Sequence, residues 1–187
     1  MNPNDIITQT KTKFTNSVTH LEDELKKLRT GRANAGMLDG ITVEAYGTPM
    51  PLNQVANVSA PEAQLLQITP FDPSNLAAIA AAIRDNQSLG LNPSDDGHVI
   101  RVSIPPLNEE RRREITKQVG TKLEDCMISL RGTRHEVLGT FDEAKKDKDL
   151  GEDEVKRLGQ QVEDAMAQAK AQAEAAARAK EQEIMTV

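Results

Sequence analysis

Residues 14–46 read FTNSVTHLEDELKKLRTGRANAGMLDGITVEAY. Two periods meet in this stretch. Phe14, Val18, Leu21, Leu25 and Leu28 step by four and three, the a/d spacing of a helix that packs on other helices, and Ile7 extends it a heptad earlier. From Ile41 the apolar positions alternate instead, and ITVEAY is rich in β-branched residues, so it reads as a strand. Gly31 and Gly36 punctuate the change, and Arg29 suits the C-terminal end of the helix dipole. The chain thus leaves a bundle helix and enters a domain of another kind.

A helix with one apolar stripe needs partners, and the second half of the chain supplies them. In PPLNEERRR (105–113) the two prolines end a strand, Asn108 suits an N-cap, and Glu109 and Glu110 place negative charge in a first turn. Ile115, Val119, Leu123, Cys126, Leu130, Val137 and Phe141 then keep helical spacing towards residue 145. KKDKDLG (145–151) is a loop, and EDEV (152–155) starts a third helix with the seam Val155, Leu158, Val162, Ala165 and Ala169. Beyond it the seam reduces to Ala173 and Ala176, which bury little area, so this end is expected to be loosely held, as a solvated single helix.

Between the first two helices lie GTPMPL (47–52), a turn and short extended piece, and QVANVS (54–59) and QLLQIT (64–69), two short strands. DPSNLAAIAAAIRDN (72–86) is a helix with Asp72 as cap and Pro73 in its first turn; SLGLNPSDDG (88–97) is a loop; HVIRVSI (98–104) is the last strand. The expected fold is α+β: a long three-helix bundle from residues 1–30 and 106–187, with a small β/α/β domain, residues 31–105, inserted between helices one and two. Thr30, Gly31 and Ala33 on one crossing, and Pro105 and Pro106 on the other, form a two-stranded hinge on which the inserted domain moves.

Composition removes several functions. The 187 residues carry a formal net charge of −6, so any contact with nucleic acid must come from local charge. The only aromatics are Phe14, Phe71, Phe141 and Tyr46, which calls for an aliphatic core and argues against binding by base stacking. A single cysteine, Cys126, excludes disulfides within the chain and cysteine-based zinc sites. No apolar run approaches the roughly 20 residues that span a membrane, and the N-terminus lacks a signal sequence, so a cytoplasmic protein without membrane contact is expected. There is no phosphate loop or GxGxxG, and His20, His98 and His135 lie in different elements without ligand spacing. No enzyme, metal or cofactor is expected.

What remains is charge geometry. On an ideal helix of about 100° per residue, with Leu130 at zero, the seam falls within about 60°, Arg134 near 40°, Arg113 and Arg131 near 100°, and Lys117 and His135 near 140°. Glu124 and Asp142, near 120°, interrupt this stripe. The inserted domain offers no comparable surface, with three basic residues (Arg32, Arg84, Arg101) against seven acidic ones. A solvated flank carries such charges routinely, and Arg29 with Arg32 reads equally as a dipole-matched helix end. Two readings therefore stand: an anion-binding face, or a helical coiled-coil-like protein-interaction module without RNA binding.

Leu28-Arg29-Thr30-Gly31-Arg32-Ala33, Tyr46-Gly47-Thr48-Pro49, Leu89-Gly90-Leu91-Asn92-Pro93, Pro105-Pro106-Leu107 with Glu109-Glu110-Arg111-Arg112, and Arg131-x-x-Arg134 resemble, in order and spacing, the ribosome recycling factor family. The resemblance implies an L-shaped monomer that binds the 70S-type ribosome after termination. Its bundle would contact large-subunit ribosomal RNA through Arg131, Arg134, His135, Arg113 and Lys117, with Arg29 and Arg32 contributing from the end of helix one. Its small domain would be engaged by elongation factor G, and the subunits would part. The family's basic motif has Asn where Gly132 stands, Arg where His135 stands and Asp where Glu136 stands.

Overall fold

The computed structural model describes residues 2–186. In chain order its elements are α1 (Pro3–Lys26), β1 (Thr42–Ala45), β2 (Thr48–Pro51), a single turn α2 (Leu52–Val55), β3 (Ala56–Glu62), β4 (Leu65–Pro70), α3 (Leu76–Asp85), β5 (Pro93–Asp95), β6 (Ile100–Ser103), α4 (Glu109–Lys146) and α5 (Glu152–Met185). The chain divides into two compact units: the part up to Arg29 with Glu109–Thr186, and Thr30–Asn108. The divisions fall after residues 29 and 108, where the sequence reading places them after 30 and 105. The second moves because helical structure does not resume at the prolines but at Glu109.

The helical unit is a three-helix bundle. α1 is capped by the Asn2 side chain, which accepts from the Asn4 N–H at 3.1 Å, with Pro3 in the first turn. It buries Ile7, Phe14, Val18, Leu21 and Leu25, plus Thr10, whose hydroxyl donates to the Ile6 carbonyl at 2.7 Å. It ends earlier than its seam suggests. The Lys27 N–H donates to the Glu24 carbonyl at 3.3 Å and the Leu28 N–H to the Leu25 carbonyl at 3.2 Å, tightening the chain into a final turn. Arg29 therefore lies past the helix and not in its last turn, and Gly31 follows at φ 77°, a conformation that favours glycine.

Polar contacts set the register of α1 on α4. The Lys13 ammonium meets Glu136 at 3.2 Å, the Ser17 and Ser129 hydroxyls lie 2.8 Å apart, and Lys122 meets Glu24 at 2.7 Å. Positions rising along α1 meet positions falling along α4, so the two are antiparallel. Lys145–Glu152 at 3.1 Å and Arg134–Glu163 at 3.7 Å likewise make α4 and α5 antiparallel.

Glu24 holds two cations, Lys122 and Lys27, each at 2.7 Å. The Lys122 ammonium and then Lys27 hold its carboxyl down at about 2, against an ordinary value of 4.5. A depressed carboxylate contributes stability above its unfolded value and loses it as protons bind the folded state. The Glu24 contribution is thus complete above about pH 5 and fades between there and about pH 2. Urea unfolding at pH 7 and pH 3 should show a smaller loss on acidification for Glu24→Gln than for the native chain. Equal losses would remove Glu24 from the acid sensitivity of the bundle.

The seam of α4 buries Ile115, Val119, Cys126, Leu130, Val137 and Phe141 as expected, adds Met127 and Ala144, and leaves Leu123 half-buried. In α5 the buried positions are Leu158, Val162, Met166, Ala169, Ala173, Ala177 and Ile184. The expectation of a loosely held end is wrong: Ala173 and Ile184 are fully enclosed, and Ala177 rather than Ala176 carries the seam. Alanines there let neighbouring helices approach closely, and Ile184 closes the stripe.

The smaller unit is built on the antiparallel sheet β3-β4-β6-β5, beside the separate hairpin β1–β2. That hairpin turns through Tyr46 and Gly47, at φ 53° and 76°, a two-residue loop whose left-handed backbone matches the strand twist. β2 carries Pro49 and Pro51 and pairs only with β1, as an edge strand with prolines must. α3 buries Ile79, Ala80 and Ile83 in a core with Val43, Leu66, Ile68, Ile100 and Val102. The Asp72 carboxylate accepts from the Ser74 N–H at 3.0 Å, and a turn over Pro73–Asn75 leads into the helix.

Two sequence expectations fail in this unit. QVANVS is not one strand. Leu52 and Val55 both turn inward, the Ala56 N–H closes on the Leu52 carbonyl, and β3 starts only at Ala56. SLGLNPSDDG is not all loop, because Pro93–Asp95 pairs with β6 as a short outer strand. Asp96 fixes the return. It accepts from the Val99 and His98 N–H groups, each at 3.0 Å, and from Arg101 at 2.9 Å, and these bonds hold its carboxyl well below the usual range.

Candidate nucleic-acid interface

α4 presents the cationic stripe on one unbroken helix. Arg113, Lys117, Arg131 and His135 are exposed, while Arg134 is half-buried beside the seam. From Arg113 to Arg131 and on to His135 the stripe runs roughly 33 Å along the helix at about 1.5 Å per residue. Ile128, at 56% exposure, lies on the same side between Glu124 and Arg131.

The stripe is not bare charge. The Arg113 guanidinium donates to Glu109 at 2.7 Å, Arg131 to Glu124 at 2.5 Å, and Arg134 reaches Glu163 on α5 at 3.7 Å. Lys117 and His135 have no ion-pair partner among the described residues. Sequence reasoning saw Glu124 only as an interruption and missed Glu109 and Glu163 as partners. Helical spacing could have found Glu109, four residues from Arg113. Glu163 could not be found that way, because only the register of α5 on α4 brings it to Arg134. All three pairs are solvent-exposed, so each contributes at most about 1 kcal/mol and a phosphate can displace the carboxylate.

Gly132 sits among these cations within continuous helix. A Cβ there would meet nothing within 4 Å, so nothing in the chain's own packing calls for glycine. Cys126 is buried, its thiol donating to the Ser17 carbonyl at 3.6 Å, and burial pushes the thiol up, away from the reactive thiolate. No group of three or more metal-ligating side chains occurs among the described residues, and no helix is long and apolar enough to cross a membrane.

The structure does not gather all the candidates on one element. Arg29 closes the helical unit and Arg32 belongs to the smaller one. The crossings themselves are tethered inside the smaller unit. The Ala33 N–H donates to the Ala63 carbonyl at 2.7 Å, and the Ile104 N–H donates to the Gln64 carbonyl at 2.9 Å. Both ends of the inserted segment thus fasten to neighbouring residues of the β3–β4 turn. Thr30 and Gly31 lie before the first tether, and Pro105 and Pro106 after the second.

Comparison with known proteins gives one answer along the chain. The ribosome recycling factor family profile matches residues 21–185. A ribosome-recycling factor of Mycobacteroides abscessus is 41% identical over 183 residues, covering 98% of both chains. That of Halalkalibacterium halodurans is 44% identical over 183 residues, again covering 98% of both. A solution structure of the ribosome recycling factor superposes with a TM-score of 0.81 at 33% identity, over 100% of this chain and 99% of the other. A Thermus thermophilus ribosome recycling factor, placed with Escherichia coli elongation factor G on the E. coli post-termination complex, gives a TM-score of 0.66 at 38% identity over 99% of this chain. A helical unit carrying an arginine-bearing face, a smaller unit inserted between its first two helices, and this likeness along nearly the whole length have one reading: the chain belongs to the ribosome recycling factor family.

Proposed function

We propose that this chain is a translation factor that binds the post-termination ribosome and, with elongation factor G and GTP, promotes its splitting into subunits and the release of mRNA and tRNA. The observation that carries this is the match along nearly the whole chain, to relatives of which one is placed with elongation factor G on a post-termination complex. The helical unit grips large-subunit ribosomal RNA through the α4 stripe, Arg131 and Arg134 foremost, with Arg113, Lys117 and His135 along it and Arg29 and Arg32 contributing near the crossing. Arginine suits this because its planar fork bonds two phosphate oxygens at once. Such contacts fix position and carry little sequence information.

The smaller unit swings on its two crossings. Its tethers at Ala63 and Gln64 confine the bending to Thr30–Arg32 and Pro105–Asn108, which is where glycine and proline stand. Force from the GTPase on this unit, while the bundle is held on RNA, parts the subunits. GTP hydrolysis belongs to the GTPase.

Post-termination 70S complexes incubated with this chain, elongation factor G and GTP should lose light scattering as subunits separate, and omission of the chain should abolish the change. Undiminished scattering with elongation factor G from a close relative of the source would overturn the proposal.

A further inference from the structure

We propose that Glu124 is a built-in brake on RNA binding: it holds the Arg131 guanidinium against the helix and sets how readily this chain lets go of the ribosome. The inference rests on the function proposed above and concerns the same face. Glu124 lies in the middle of the stripe, between Lys117 and Arg131 and within about 40° of both on the helix surface. Its carboxylate receives Arg131 at 2.5 Å across seven residues.

That spacing is informative. Helix-stabilising ion pairs join residues three or four apart. The positions three and four residues before Arg131 are Ile128 and Met127, both apolar, and its guanidinium reaches past them to Glu124, two turns away. Helical side chains lean towards the N-terminus, so the guanidinium lies along the surface past exposed Ile128 instead of projecting from it. Both partners remain more than half exposed, at 53% and 60%, so the pair does little to hold the fold. What it does is occupy the fork that a phosphate would take, and present a carboxylate to the phosphates approaching Lys117 and Arg131.

A factor that must leave the ribosome after each round has a use for this arrangement. The face keeps arginine geometry for positioning while its resting charge stays close to neutral, in keeping with the net charge of −6. Counterion release gives the brake a signature. A phosphate that captures the freed Arg131 fully should steepen the slope of log affinity against log salt by about 0.7–0.9.

The test is the affinity of the full chain for isolated large ribosomal subunits across a salt series, for the native chain, Glu124→Gln, Arg131→Ala and the double variant. Glu124→Gln is expected to bind about three- to tenfold tighter, with a steeper salt slope, and the gain should vanish in the Arg131→Ala background. An unchanged or weaker Glu124→Gln, beside a native chain that binds, overturns the brake alone. A gain of equal size without Arg131 also overturns it, by showing only a general effect of charge. A native chain that fails to bind large subunits overturns the proposed function and the brake together.

Discussion

Phe141→Ala is expected to lower the stability of the helical unit by about 3–5 kcal/mol, the usual cost of emptying an aromatic site in a core that cannot collapse. Phe141 is completely enclosed on α4, in a chain whose only other enclosed aromatic is Phe14. The remaining seam is Leu, Ile, Val, Met and Ala, and none of these can fill the space without shifting a helix. Domains of this kind have about 5–15 kcal/mol in all, so the loss takes a large share. Circular dichroism at the helical minimum in a urea titration should show the midpoint falling steeply. Ile128→Ala on the same helix should stay within about 0.5 kcal/mol, because Ile128 faces solvent. A Phe141→Ala midpoint equal to the native one would contradict the packing of α4 described above.

The long seams were legible because burial on a bundle helix repeats, and the repeat survives local errors. The spacing puts Leu123 and Ala165 in the core and both are half-buried, yet the faces of α4 and α5 are as the spacing implies. What the period does not report is how closely two helices approach. Ala173 looks weak in the sequence because alanine has little area, and it is fully enclosed because little area is what a close crossing needs. Short elements were less legible. Leu52–Val55 is a helical turn selected by two inward side chains and one backbone bond, too brief for any period. β5, Pro93-Ser94-Asp95, has no apolar period and exists only through its pairing with β6. In the candidate site, the cations of α4 could be placed by angle alone, but Glu163 comes from α5. That Arg134 is already engaged is a tertiary fact, and it bears on how strongly it can bind anything else.

Arg134→Ala and Arg131→Ala are expected to weaken binding to large ribosomal subunits by about 5–30-fold each at fixed moderate salt. A charge-assisted hydrogen bond contributes about 1.5–3 kcal/mol. From that is subtracted the exposed pair given up on binding, at most about 1 kcal/mol for Glu163 or Glu124. Arg134→Ala should also make the salt dependence shallower by about 0.7–0.9, one phosphate fewer being neutralised, and Arg131→Ala by less, because Glu124 keeps part of its guanidinium from the phosphate. Arg134→Lys separates charge from shape. It keeps the cation and the salt slope but loses the planar fork, so recovery should be partial. A helical adapter with protein partners alone predicts something else: affinity that hardly moves with salt or with either substitution. Unchanged affinity of Arg134→Ala would remove Arg134 from the interface, since its side chain is half-buried between α4 and α5 and could then serve only to join them. The same measurement on His135→Arg asks the question in reverse. A guanidinium at position 135, beside Arg131 on the exposed flank of α4, should tighten binding at fixed salt, and an unchanged affinity would place that position off the contacted surface.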